Sequence, residues 1–259
     1  MYHGTGLPQY LLVMPPFRYR FLRHPFLRYL ALPVLLAAAG SPAFPGGIFE
    51  RPVPLSGTVI QHPGPAPDFT LTDQDGRQFR MSDTRGKVVV MSSLYTHCTD
   101  LCPFVTLKIR SARALMGTDA DKAVFVAVTT DPGRDTQKVI AAYTQAAGLT
   151  GAWHFLTGPL AAVKAVWFDY GVGVDIQKAP QDQEPEAQGG AEDAEPSQGL
   201  SAEARDQARR MADAFGGGYE VAHSTPIWII DREGRIRVAM DADALPSEIA
   251  GNVRALMGR

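Results

Sequence analysis

The chain has 259 residues, 45% hydrophobic and 20% charged, with 25 basic against 27 acidic side chains and a formal net charge of -2. That balance excludes a basic nucleic-acid-binding sleeve, a collagen-like repeat and a chain disordered throughout. Two cysteines exclude a multi-disulfide scaffold and a four-cysteine zinc ribbon, so any thiol chemistry belongs to a single pair.

Residues 1–45 read as a signal peptide or a membrane anchor. Arg18, Arg20, Arg23 and Arg28, with no acidic residue among them, precede an uncharged run from Tyr29 to Ala39, which is the layout of an export signal. Ala39, Gly40, Ser41 and Ala43 offer a cleavage site, while the uncharged stretch continues to Phe49 and suits retention in the bilayer. Pro33, Pro42 and Pro45 weigh against a regular spanning helix. No cysteine stands near the small residues, which excludes a lipid-anchored form. Both export readings place the folded part on the exported, periplasmic side, in an oxidising compartment; the alternative is a disordered N-terminal extension of a cytoplasmic protein. Residues 46–64 read as a linker.

From residue 65 the pattern alternates. Residues 68–72 and 78–80 flank the turn at 73–76 and predict a β-hairpin. The apolar run from residue 87 suits a strand covered on both faces. Residues 103–116 carry Phe104, Leu107, Ile109 and Leu115 at helical spacing and stop at Gly117. A second buried strand covers 123–130, Asp135 is expected to cap a helix running to Gly148, 154–156 is extended, and 159–169 is helical. Residues 177–218 form a long acidic insertion, partly disordered: 180–199 is too polar to offset its ordering entropy, and 201–215 forms a short helix capped by Ser201 and stopped by Gly216, Gly217 and Gly218. A solvated loop without a specific partner is the plainer account of the acidic part. Strands at 227–230 and 236–240 enclose the turn 231–234, and 245–257 closes the chain as a helix. The order gives one α/β sandwich over 65–259, built round a central sheet.

Chemistry concentrates in Tyr95-Thr96-His97-Cys98-Thr99-Asp100-Leu101-Cys102-Pro103, where a buried strand gives way to a helix. Backbone N–H groups and the helix dipole lower thiol pKa at such a place, and Pro103, tolerated at the first helical position, sets the helix start just after Cys102. If the segment from Cys98 already turns helically, a separation of four residues puts both sulfurs on one side of the turn, close enough to share a metal or to form a disulfide. Two thiolates leave a copper or zinc ion short of ligands. His3 and His24 fall in the N-terminal segment, His62 in the linker, and His154 beside an aromatic run; His97 points away from Cys98 if the strand persists. His223, just before the strand at 227–230, is the best-placed third ligand, with a hydrogen-bonded structural histidine as the alternative.

The string from Thr96 to Pro103, the later Thr130-Asp131-Pro132-Gly133-Arg134-Asp135-Thr136, and His223-Ser224 followed by Asp231 and Gly234 resemble the Sco/SenC family of copper-binding proteins from about residue 65 to the C-terminus. The resemblance implies a thioredoxin-like three-layer sandwich preceded by its N-terminal β-hairpin. It also implies one copper ion per chain, held by Cys98, Cys102 and His223, and a role as a copper chaperone in assembling the cytochrome c oxidase copper centre. The implied partner is the copper-bearing oxidase subunit or another copper chaperone, with a membrane met through the N-terminal segment and no nucleic acid. Asp131 matches a family position near the metal loop without a ligand role. The chain departs from the family pattern at Thr99, where proline is usual, at Ala222, where aspartate is usual, and in the length of the acidic stretch. Losing that aspartate removes a partner for the imidazole and bears on affinity more than on ligation.

The competing function is a thiol-disulfide oxidoreductase of the thioredoxin-like class, with Cys98 and Cys102 as its redox pair reducing partner cysteines; it requires nothing of His223. A peroxidase is only loosely echoed by Thr96, and an inert disulfide closing so short a loop would add little stability.

Overall fold

The computed structural model describes residues 54–177 and 197–258. The segment expected to serve as signal or anchor, residues 1–45, and the acidic stretch from 178 to 196 lie outside the described residues.

In chain order the elements are β1 (Thr58–Val59), β2 (Thr70–Thr72), β3 (Gln78–Arg80), β4 (Val88–Leu94), α1 (Leu101–Met116), β5 (Ala123–Thr129), α2 (Gln137–Ala147), β6 (His154–Leu156), α3 (Leu160–Asp169), β7 (Val174–Gln177), α4 (Ala202–Phe215), β8 (Glu220–His223), β9 (Ile227–Ile230), β10 (Ile236–Met240) and α5 (Pro246–Met257), with 3-10 turns at Met81–Thr84 and Gly117–Lys122. The main sheet runs β1-β10-β9-β4-β5-β6. Its centre is parallel, β4 beside β5 and β5 beside β6, while β9 joins β4 antiparallel. Thr58 and Val59, within the stretch read as linker, add an edge strand against β10.

Continuous apolar runs become central strands because both faces are covered. Along β4, Val88, Val90 and Leu94 enter one core with α1, α2, α4 and α5, while Val89 and Met91 enter a second with α3 and the β2-β3 hairpin. Ile227 and Ile229 of β9 face the first core, Trp228 and Ile230 the second. The three layers expected from the sequence are therefore helices, sheet, then helix plus hairpin. Asp73 shapes the hairpin turn, its Oδ1 accepting from the Asp75 and Arg77 N–H groups. The β9-β10 turn favours glycine at Gly234, which has φ 72, a left-handed conformation that other residues rarely adopt.

Three local expectations are corrected. Helix α1 begins at Leu101, so Cys102 and Pro103 both lie inside its first turn, where proline's missing N–H has no intrahelical acceptor to lose. On α1, Leu107 and Ile109 are buried as expected, together with Cys102, Val105, Ala112 and Met116, while Phe104 is half-buried and Leu115 faces solvent. The cap of α2 is Thr136, whose side chain accepts from the Val139 N–H, because the Asp135 carboxylate is turned inward. The helix expected from Ser201 is present as α4, with Ser201 accepting from the Ala204 N–H; it packs on α1 and α2.

Candidate metal centre

Parallel pairing of β4 and β5 brings the loops that follow them to one edge of the sheet, the usual place for a site in an open α/β sheet. The first loop carries Cys98 and leads into α1; the second carries Asp131, Arg134 and Asp135 and leads into α2. Asp135, with no exposed surface, ties them together: it accepts from the Thr96 N–H at 3.2 Å, the Thr96 hydroxyl at 2.6 Å and the Thr129 hydroxyl at 2.5 Å. His97 turns toward the same group, its Nδ1 2.9 Å from Thr96 Oγ1 and 3.8 Å from Asp135 Oδ1. His154 pairs with Asp73 at 3.1 Å beside the hairpin, and His62 is exposed.

Cys98 and Cys102 are both buried and both free thiols. The Cys98 pKa is lowered to about 7, first by the Cys102 thiol donating to its sulfur, then against the opposing effect of burial by the N–H groups of Cys102 and Asp100 and the Tyr95 hydroxyl. Burial pushes the Cys102 thiol well up, and the negative sulfur of Cys98 reinforces this. The pair is therefore asymmetric, a ready thiolate beside a retained proton.

His223 comes from 121 residues away, its Nε2 3.4 Å from Cys102 Sγ. Its Nδ1 lies 2.9 Å from the Ser224 carbonyl oxygen. A carbonyl only accepts, so Nδ1 carries the proton and Nε2 presents its lone pair to the sulfur. Burial lowers the His223 pKa, which keeps that lone pair free. The Ser224 carbonyl thus fills the role for which an aspartate at 222 was missed. Strand alternation would turn a side chain at 222 away in any case: Ala222 is exposed, while Val221 and His223 face inward.

Sequence reasoning passed over Tyr95. Its ring meets His223 edge-on with centroids 5.4 Å apart, and its hydroxyl donates to Cys98 and accepts from the Val221 N–H at 3.4 Å. One side chain therefore touches both halves of the site. Arg134, quoted in the 130–136 motif without a role, and Tyr219, which was passed over, both occupy buried Asp131: the Arg134 Nε and the Tyr219 hydroxyl donate to it, the latter at 2.7 Å. The available signal was position, an aromatic residue ending a buried strand and charged residues in the loop after its neighbour.

Cys98, Cys102 and His223 thus meet pairwise through Cys102. Among the described residues, no group of three or more His, Cys, Asp or Glu side chains is already closed around a point that would hold an ion. The separation of 3.4 Å between nitrogen and sulfur is nevertheless close to what two ligands keep at bond lengths of about 2.0 and 2.3 Å from one metal.

The sequence matches the family model described as SCO1/SenC over residues 60–191. The human mitochondrial SCO2 homologue is 37% identical over 94 residues, covering 33% of this chain and 35% of that protein. The match thus spans about a third of the length of such curated relatives. The copper-bound structure of ScoI from Bradyrhizobium japonicum is similar with a TM-score of 0.55 at 24% identity, covering 74% of this chain and 99% of that one. BsSco, described as a member of the Sco family of cytochrome c oxidase assembly proteins, is similar with a TM-score of 0.51 at 15% identity, covering 77% and 98%. At these identities the structural matches establish the thioredoxin-like fold.

Proposed function

Because the chain belongs to the SCO1/SenC family, we propose that it is a copper chaperone that carries one copper ion on Cys98, Cys102 and His223 as cargo. The observation that carries this reading is the lone pair of His223 Nε2 directed at Cys102 Sγ across 121 residues of sequence. Two soft sulfurs and one imidazole suit Cu(I) over harder ions. Cys98 already has a depressed pKa, so ion uptake needs mainly the Cys102 proton to leave. Three ligands leave a position through which a receiving site can take the ion.

The receiver is the copper-bearing subunit of cytochrome c oxidase or another copper chaperone, a reading supported by what BsSco is said to assemble. The folded domain acts on the exported, periplasmic side, supported by the basic flank and apolar run before residue 45. Among the described residues no helix is long and apolar enough to cross a membrane. Thiol-disulfide exchange gives His223 no task, so the placement of the imidazole favours copper carriage.

An anaerobic Cu(I) titration of the full chain tests the proposal. One ion per chain is expected, with binding lost in Cys98→Ser and Cys102→Ser and weakened in His223→Ala. Unchanged affinity in the histidine variant would remove His223 from the site.

A further inference from the structure

The strand that bears His223 is not part of the main sheet. Among the described residues β8 pairs only with β7, in a two-stranded ribbon, and it is reached from α4 through Gly216, Gly217 and Gly218. Something must therefore hold this arm over the cysteine loop.

The contacts converge on Arg134. Its Nε donates to buried Asp131, and its Nη1 donates to the Gly217 carbonyl at 2.9 Å. Its guanidinium lies over the Tyr219 ring, 3.6 Å from the centroid, in cation–π contact, and 5.8 Å from the centroid of Tyr95. Tyr219 closes the circuit by donating to Asp131. The backbone is shaped for this approach: Gly218 has φ 82, and a β-carbon there would fall 2.9 Å from Arg134 Nη1. Tyr95, the second ring beneath the guanidinium, is the residue that touches His223 and donates to Cys98.

We infer that Arg134 is a positioning residue for the metal centre: it clasps the Gly217–Tyr219 segment to the Asp131 turn and so holds the imidazole of His223 against Cys102. Arg134 touches neither sulfur nor imidazole and acts through the arm that carries His223. A planar fork is needed because one side chain must bond a carboxylate and a carbonyl while stacking on a ring, which a lysine ammonium cannot do at once. The inference rests on the copper-carrier reading for its consequence, retention of the ion, but not for the geometry.

The test uses the full chain with Arg134→Met and Arg134→Lys, each alone and combined with His223→Ala. In the copper-free protein, proton NMR reads the contact between the Tyr95 and His223 rings; it is expected to vanish in Arg134→Met and to weaken in Arg134→Lys. In the Cu(I)-loaded protein, the nitrogen shift of His223 Nε2 is expected to move to the free-imidazole position in Arg134→Met. Release to a Cu(I) chelator should quicken by about ten- to a hundred-fold, the range seen when groups supporting metal ligands are removed. A loss of fold alone would speed release in every background. Action through His223 predicts that Arg134→Met adds nothing once His223 is alanine. A retained ring contact in Arg134→Met, or an additive effect in the double variant, overturns the inference. If the wild-type chain takes up no copper, the carrier reading fails, and the ring contact in the copper-free protein still decides the role of Arg134.

Discussion

Replacing Cys102 with alanine separates the contributions to the Cys98 thiolate. The ordinary value of 9.0 is lowered to about 7, with the Cys102 thiol the largest cause and burial opposing it. That difference corresponds to roughly 3 kcal/mol at about 1.4 kcal/mol for each tenfold change, and a hydrogen bond to a charged group supplies about 1.5 to 3 kcal/mol. Without the Cys102 thiol, the Asp100 and Cys102 N–H groups and the Tyr95 hydroxyl remain, set against unrelieved burial. Cys98 in Cys102→Ala is therefore expected to titrate at least about one pH unit higher than in the wild type, from the bond strength just given. Ultraviolet thiolate absorbance against pH measures it directly, since only one thiol is left. The sign extends to stability. A pKa lowered by folding contributes stability that is present above the unfolded value and lost as pH falls through the folded one. Wild-type stability should gain from this group between about pH 7 and 9, and Cys102→Ala should gain less. A Cys98 that still titrates near 7 in Cys102→Ala would refute the assignment of the thiol as the main cause.

Two further outcomes follow from the same geometry. Burial lowers the His223 pKa from its ordinary 6.5, so the unfolded chain takes up a proton first as pH falls, and stability should drop below that value; denaturant unfolding of His223→Ala should show a flatter profile over the same interval. Asp135→Asn keeps the shape but removes the charge that accepts from Thr96 and Thr129; a loss of about 2 to 3 kcal/mol is expected by denaturant unfolding, and no loss would mean that these bonds do not hold the two loops together.

The parts that could be read in the sequence were those where composition repeats a pattern. Val88 to Met91 and Ile227 to Ile230 are uninterrupted apolar runs because both sheet faces are covered, and only central strands need that. The CxxxCP string located the cysteines at the junction of a buried strand and a helix, although Cys98 lies in the loop before α1 and only Cys102 is inside the helix. The ribbon of β7 and β8 was missed: each has four residues, and their partners lie on the far side of the acidic stretch. Asp135 and Thr136 are both good helix caps, and what decides between them is the pair of hydroxyls waiting on neighbouring strands. Tyr95 and Arg134 act through rings and carbonyls brought together only by folding, which no local spacing encodes.

The ribbon also explains how the chain tolerates so long an insertion. The connection from Gln177 to Glu220, which contains α4, begins and ends on paired residues of the ribbon, so the ladder brings its two ends together. Position 177 is thus a natural splice point: a reporter domain whose own termini lie close together could be grafted just after it, placing a probe within the connection that leads to the His223 strand while leaving the six-stranded sheet uncut.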